Sequence, residues 1–464
     1  MTSLRRRVLP LAWLLLAAFA LAQEPTLSPD VRAAIDKAAR ESLEKSGVPS
    51  ASVAVVKDGK LAYAQAYGLA KVEPRTPATP EMRYAIGSIS KQFTAVAVLM
   101  LAEEGKLSLD DKVARWFPKL TRANEVSVRQ LLSMTSGYQD FWPQDYLPPE
   151  MAKPTTPEHI MQKWAGKALD FEPGTKYQYS NTNYVIAGQI VEKVSGMPFF
   201  SFLQKRIFTP LNLESVMSVD AQKLPEADPV GYERFALGPP RPATKEGAGW
   251  LMAIGELAMT AGDLARWNIA FMERKLLKPE SYRELQRTQV LANGAPANYA
   301  LGLAVGMSQG RHFVSHSGEV MGFVADNVVY PEEKVAIVVL TNQMTSGAGD
   351  ITGRITSILF PPDAATRNSE AKVRQAFIEL QQGRIDRSRF TDNANFYFNE
   401  TALRDFAQTL GPLGEPKEMN PGPRRMRGGF ILQSYRPVVG GKRLRISVFE
   451  TTDGKFEQFL VEPD

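Results

Sequence analysis

The sequence predicts an α/β chain in an α+β arrangement: an antiparallel sheet flanked by helices, an inserted helical lobe, then a small α+β domain. Three observations carry this. Strand-like runs stand at both ends of residues 23–360, and the stretch between them, about 80–290, is mostly helical with long Pro- and Gly-containing loops. Past Pro361-Pro362, helices are followed by a further set of strands.

Residues 1–22 read as a secretory signal peptide: Arg5-Arg6-Arg7, an apolar run from Val8, and Ala20-Leu21-Ala22 as the cleavage site. The run is too short to span a bilayer and no second one follows, so no membrane span is expected after its removal. Losing those three arginines and no acid lowers the formal net charge from +5 to +2. The basic balance therefore gives no reason to expect a nucleic-acid partner. The location implied is periplasmic or secreted.

Residues 30–46 suit an amphipathic helix. Strands follow at 51–56 and 61–67, joined at Asp58-Gly59, a tight hairpin signal. Strands return at 299–305, 312–315, 323–330 and 335–340, with a helix near 351–359. Strands at both ends imply that the two ends pair into one sheet, with the helical insertion beside it. Residues 361–369 read as a linker. The remainder, 370–464, reads as helices near 370–382 and 400–409, then strands at 428–435, 443–450 and 456–461, with turns at Gly440-Gly441 and Asp453-Gly454. This accessory unit is loosely similar to NTF2-like domains and carries no catalytic set.

With no cysteine and three histidines, His159, His312 and His316, the chain has no means for Cys-based catalysis and little for a His-rich metal site. No cofactor is expected. The chemistry is concentrated in Ser88-Ile89-Ser90-Lys91, where a strand-like run gives way to a helix with apolar Phe93, Val96, Ala97, Met100 and Leu101, closed by Gly105. A serine three residues before a lysine puts hydroxyl and amine on one helix face. A desolvated lysine can take the serine proton, and the helix N-terminus favours the charge that develops on acylation. The same spacing occurs by chance at Ser42-Leu43-Glu44-Lys45. A second decoy, Gly306-Met-Ser-Gln-Gly310, matches a nucleophile elbow but lies between two strands, so Ser308 falls in a hairpin turn.

Two further elements stand downstream: Tyr179-Ser180-Asn181, and His316-Ser317-Gly318 followed by Glu319 and Gly322. Taken singly, Tyr179 suits a buried aromatic, Asn181 a turn and His316 a half-buried strand position. In this order they make the chain resemble the serine β-lactamase-like, penicillin-binding hydrolase family, in the branch of class C β-lactamases, D-alanyl-D-alanine carboxypeptidases, D-aminopeptidases and related esterases. Supporting stretches agree in order: 105–111, 131–137, 171–174, 260–265 and 338–342. The resemblance covers about residues 30–360.

The resemblance implies a β-lactamase/transpeptidase-like fold with the site in the cleft between lobes. It implies hydrolysis of an ester or amide in a D-amino-acid peptide, β-lactam or carboxylic ester. The partner is then a small-molecule or peptide substrate, peptidoglycan-derived ones included. Ser88 would attack the carbonyl, and Lys91 and Tyr179 would relay protons with both pKa values pulled down, either being the formal base. Asn181 would bond Lys91 or the acyl chain. His316, Ser317, Gly318 and Glu319 would bind substrate, the Glu319 N–H completing an oxyanion hole with that of Ser88. A non-turnover penicillin-binding protein, or a scaffold, is the alternative. Two departures stand out: His316 replaces the lysine of many relatives, which weakens a carboxylate anchor near neutral pH, and Met134 replaces a frequent histidine, altering packing at the entrance. Tyr138, Phe141 and Trp142 are candidates to rim an apolar acyl pocket.

Overall fold

The computed structural model describes residues 27–464 apart from 221, 309, 346, 363, 417 and 423. The leader read at 1–22 lies outside the described residues. The chain divides into two compact units, one ending at Ile355 and one running Thr356–Asp464.

The first unit is built on a seven-stranded antiparallel sheet. Its order is Thr76–Pro77, Lys60–Lys71, Ser50–Lys57, Val335–Thr341, Phe323–Tyr330, Arg311–Val320 and Ala304–Ser308. The two ends of the unit meet at its centre, where Val53 pairs with Val339 and Val55 with Ile337. Those two strands are almost wholly buried, which explains their unbroken Val, Ile and Ala runs in place of alternation. The Asp58-Gly59 turn closes the first hairpin as the sequence predicts.

Helix Pro29–Ser46 packs on the first two strands, with Asp36 accepting from Tyr67 Oη at 2.7 Å. Helix Ala261–Met272 packs against strands Lys60–Lys71, Ser50–Lys57 and Val335–Thr341, and its Asn268 exchanges buried amide hydrogen bonds of 2.7 and 3.1 Å with Asn327 on the neighbouring strand Phe323–Tyr330. The helical lobe centres on Lys91–Glu103, buried from Lys91 through Leu101, packed against Asn181–Ser195. A helix apolar on every side belongs inside a core, and this one does. Among the described residues no helix is long and apolar enough to cross a membrane.

The strand expected at 299–305 instead spans Ala304–Ser308. Gly302 takes a left-handed φ of +74°, and a Cβ there would lie 2.8 Å from the Lys91 carbonyl oxygen. Residues before Ala304 are thus turned onto the helix bearing Lys91. Ser308 ends its strand, paired with Arg311 across the hairpin.

The second unit has helices Ala364–Gln381, Asp392–Tyr397 and Glu400–Leu410 and a five-stranded antiparallel sheet around Lys442–Glu450. Its own core gathers Phe377, Phe390, Phe398, Tyr435, Ile446 and Phe456. The linker expectation for 361–369 is corrected, because the first of these helices starts at Ala364. Pro361-Pro362 cannot continue the preceding helix, but the Ala-, Arg- and Glu-containing run after them favours a new one. The expectation also missed the short Asp392–Tyr397 helix, which Thr391 caps by accepting from Ala394 N–H at 3.3 Å.

Candidate active site

A small three-stranded sheet of Tyr84–Ala85, Met217–Ser218 and Leu257–Met259 sets the geometry. Ile86 N–H donates to the Leu257 carbonyl at 2.9 Å, and Ser90 Oγ accepts from Leu257 N–H at 3.2 Å. Between these ties lies the tight 3₁₀ turn Gly87–Ser90, which feeds directly into helix Lys91–Glu103. Ser88 therefore stands at the mouth of a helix, anchored to the loop that also supplies the Ile254 carbonyl.

Lys91 is fully buried, and its Nζ donates to Ser88 Oγ at 2.8 Å, Asn181 Oδ1 at 2.8 Å and Ile254 O at 2.9 Å. The rings of Tyr179 and Tyr184 stand 5.0 and 5.7 Å from the same nitrogen. Burial lowers the Lys91 pKa to about 7, the Asp140 carboxylate holding it back from falling further. Tyr179 moves the opposite way from the expected fall. Its buried phenol is raised well above the ordinary value, chiefly by desolvation, with Ser88 tempering the rise and Asp140 adding to it. The reason is general: burial disfavours the charged form, which is the cation for lysine but the anion for tyrosine.

Asp140 was not read from the sequence as a site residue. Its Oδ1 accepts from the Asn181 N–H at 2.8 Å and the Trp142 N–H at 3.3 Å, and Asn181 Nδ2 reaches its Oδ2 at 3.4 Å. It thus caps the start of helix Asn181–Ser195, where negative charge is favoured, and fixes the amide that holds Lys91. Its only signal in sequence was its place three residues past Gly137, next to the aromatics expected at the pocket.

The strand Arg311–Val320 runs beside the Ser88 turn. Its neighbour Ala304–Ser308 pairs only as far as Ser315, which leaves the edge at 316–320 free to face that turn. The approach is close enough to demand glycine on both sides. A Cβ on Gly87 would lie 2.4 Å from the Glu319 nitrogen, and one on Gly318 would lie 1.8 Å from the Ile86 carbonyl oxygen.

A cavity of about 360 Å³ opens over this arrangement, lined by Ser88, Tyr179, Asn181 and Glu319 together with Asp140, Trp142 and Asp145. Lys91 lies beneath it. His316, Ser317 and Gly318 do not line it. His316 is buried, its Nδ1 bonded to the Ser317 carbonyl and its Nε2 2.9 Å from Tyr299 Oη. A carbonyl only accepts, so Nδ1 carries the hydrogen and Nε2 accepts from the tyrosine. Desolvation and the Lys91 charge lower the His316 pKa to about 4, which keeps the ring neutral near pH 7. Its place is behind Tyr179, ring centroids 6.2 Å apart.

Two other expectations change. Met134 is fully buried beneath the Tyr179–Asn181 segment, its sulfur accepting from Ser180 N–H at 3.3 Å, and so lies behind the site and not at its entrance. Of the three aromatics, Trp142 lines the cavity, while Tyr138 and Phe141 are core residues.

This fold and cleft define a β-lactamase-type architecture. The chain belongs to the beta-lactamase family, whose model matches residues 35–357. Protein flp of Staphylococcus aureus (strain N315) is 28% identical over 326 residues, 68% of this chain and 64% of that protein. D-aminopeptidase of Brucella anthropi is 28% identical over 314 residues, 67% of this chain and 59% of that protein. The chain thus spans less than two thirds of the length of these curated relatives. The octameric penicillin-binding protein homologue from Pyrococcus abyssi superposes with a TM-score of 0.62 at 22% identity, over 93% of this chain and 100% of that one. That likeness is one of fold.

Proposed function

We propose that the protein is an exported serine hydrolase that cleaves an ester or amide through an acyl-enzyme on Ser88. The observation that carries this reading is the set of partners around Lys91. Asn181 Oδ1 and the Ile254 carbonyl can only accept hydrogen bonds. A neutral lysine has two N–H groups and one lone pair. Satisfying those two acceptors leaves the lone pair aimed at Ser88 Oγ, 2.8 Å away. A pKa of about 7 makes that neutral form available near physiological pH.

In this reading Lys91 takes the Ser88 proton as Oγ bonds to the carbonyl carbon. The N–H groups of Ser88 and Glu319 receive the oxyanion. Tyr179, kept protonated by its raised pKa, passes its proton to the leaving nitrogen or oxygen as that bond breaks, and recovers one from Lys91. Water then adds to the ester, the same pair accepts its proton, and that proton is returned to Ser88 Oγ as the ester bond breaks. The amidase reading takes support from the D-aminopeptidase relative. Export takes support from Arg5-Arg6-Arg7 and Ala20-Leu21-Ala22.

The test is intact mass of the protein and of Ser88→Ala after incubation with p-nitrophenyl acetate or a penicillin, with consumption followed in the same tube. Ester consumption by the wild type alone supports the proposal. A lasting penicillin adduct without turnover of any ester would favour the non-turnover penicillin-binding alternative. No adduct and no Ser88-dependent consumption would overturn both.

A further inference from the structure

Resting on the hydrolase reading, we propose that Glu256 is a positioning residue. Its buried carboxyl group holds the turn that presents the Ile254 carbonyl to Lys91, and so helps to aim the lysine at Ser88.

The turn lies just ahead of the strand Leu257–Met259. The Ile254 and Gly255 N–H groups both donate back to the Leu251 carbonyl, at 3.1 and 3.0 Å, which folds the segment tightly. Within it Ala253 takes a left-handed φ of +62°. A side chain with a Cβ is disfavoured in that conformation, so the surroundings have to impose it. Glu256 supplies one half of that constraint. Its Oε1 accepts from Ala253 N–H at 3.0 Å, and its Oε2 accepts from Ser218 Oγ at 2.7 Å. Thr94, three residues beyond Lys91 on the same helix, supplies the other half, its Oγ1 donating to the Ala253 carbonyl at 2.7 Å. Ala253 is thus clamped at both its N–H and its carbonyl. The next carbonyl along the chain, that of Ile254, is the one Lys91 Nζ bonds at 2.9 Å.

A carboxyl group is a costly choice for this place. Glu256 is buried and has no ion-pair partner among the described residues. Burial first, then the like charges of Asp220 and Glu192, push its pKa up to about 7, while its bonds to Ala253 and Ser218 hold it back. Burying an acid without a cation is unfavourable, and a position that needed only packing would be better filled by an apolar side chain. What the carboxyl group adds is two acceptor oxygens, one of them on the strained residue. The Lys91 pKa is set by burial and by Asp140, so the hold of Glu256 on Lys91 passes through the turn.

The test uses the full chain with Glu256→Ala, Glu256→Gln and the double variant Glu256→Ala/Ala253→Gly. Glutamine keeps the clamp, since its Oε1 accepts from Ala253 N–H while Ser218 Oγ accepts from its Nε2. For p-nitrophenyl acetate, kcat/KM should fall about tenfold or more in Glu256→Ala and stay within about threefold of the wild type in Glu256→Gln. Glycine adopts the left-handed conformation without strain, so the double variant should regain at least about threefold over Glu256→Ala. Equal losses in the two single variants, or no gain from glycine, overturn the proposal.

A titration without substrate separates it from the hydrolase reading. The Lys91 Cε NMR signal, assigned with Lys91→Met, is followed against pH. A carbonyl oxygen favours the charged lysine, so withdrawing it should lower the Lys91 midpoint by about half a unit or more in Glu256→Ala and leave it in place in Glu256→Gln. That outcome supports the positioning role even if no ester is turned over. An unmoved midpoint in Glu256→Ala makes Glu256 a support of the fold alone, and a glutamine midpoint that moves as far as alanine's traces the effect to charge; either overturns the proposal. Thr94→Val frees Ala253 from the other side and should lower the midpoint too. If Glu256→Ala does not fold, an unmoved midpoint in Thr94→Val overturns the proposal.

Discussion

Lys91 Nζ and Asn181 Oδ1, both buried, lie 2.8 Å apart, and in the proposed mechanism that contact decides where the lysine lone pair points. The pH profile follows from it. With the Lys91 pKa at about 7, kcat/KM for a neutral nitrophenyl ester should rise through pH 7 and level off above pH 8. Deprotonation creates the base, so activity is lost on the acid side. Lys91→Arg should abolish the reaction, because guanidinium stays protonated throughout. A profile flat between pH 5.5 and 8.5 would remove Lys91 from the base role.

Asp140 tunes that limb. Its charge raises the Lys91 pKa against the pull of desolvation. Asp140→Asn retains an oxygen to accept from Asn181 N–H but removes the charge. The acid limb should therefore move down by about half a unit to one unit, a shift expected for loss of one nearby charge. A limb that stays in place while kcat/KM falls would make Asp140 a purely mechanical support.

Tyr179→Phe should discriminate between leaving groups. A nitrophenolate departs without a proton, whereas an amine cannot. Removing the phenol should therefore lower kcat/KM for a p-nitroanilide by about 10²-fold or more, the usual scale for general acid catalysis, and affect the nitrophenyl ester far less. Equal losses on both substrates would place Tyr179 outside proton transfer to the leaving group.

Gly318 offers a test of the approach between the strand and the Ser88 turn. An added methyl would fall 1.8 Å from the Ile86 oxygen, which is backbone and cannot swing away. Gly318→Ala should push the strand from the turn, destabilise the first unit by about 1–3 kcal/mol and lower ester hydrolysis more than tenfold. Thermal unfolding and kinetics on one preparation check this. Wild-type kinetics in the variant would mean that the spacing of the Ser88 and Glu319 N–H groups is immaterial.

What could be read in the sequence follows from how local each signal is. The hairpin at Asp58-Gly59, the helix behind Lys91 and the pairing of the two ends of the first unit rest on turn chemistry and periodicity, and all appear in the fold. The strand at 299–305 was misplaced because Gly302 turns the backbone onto Lys91, a contact 211 positions away in sequence. Asp140 was missed for a similar reason: its meaning depends on the Asn181 N–H, which only tertiary structure brings near. The Tyr179 shift runs opposite to the expected fall because desolvation, which lowers the pKa of a lysine, raises that of a phenol. His316, expected on substrate, faces Tyr299 instead, since strand alternation tells which residues share a face but not what that face meets.

The lysine on which this chemistry would depend also weakens the fold, and the pH dependence of stability can expose it. Its folded pKa of about 7 lies below the unfolded value near 10.4, so between them the unfolded chain binds more protons and stability rises with pH. Below pH 7 the whole penalty is felt; towards pH 10 it disappears. Lys91→Met removes that titration, although it leaves Asn181 Oδ1 and the Ile254 carbonyl without their donor, a loss that does not vary with pH. Relative to the wild type, Lys91→Met should therefore gain roughly 2–3 kcal/mol more at pH 6 than at pH 9, the difference expected from about two pKa units of linkage. Denaturant unfolding of both proteins at the two pH values measures it. A stability gap that does not change with pH would mean that Lys91 keeps an ordinary pKa in the folded protein, and the neutral-lysine base would go with it.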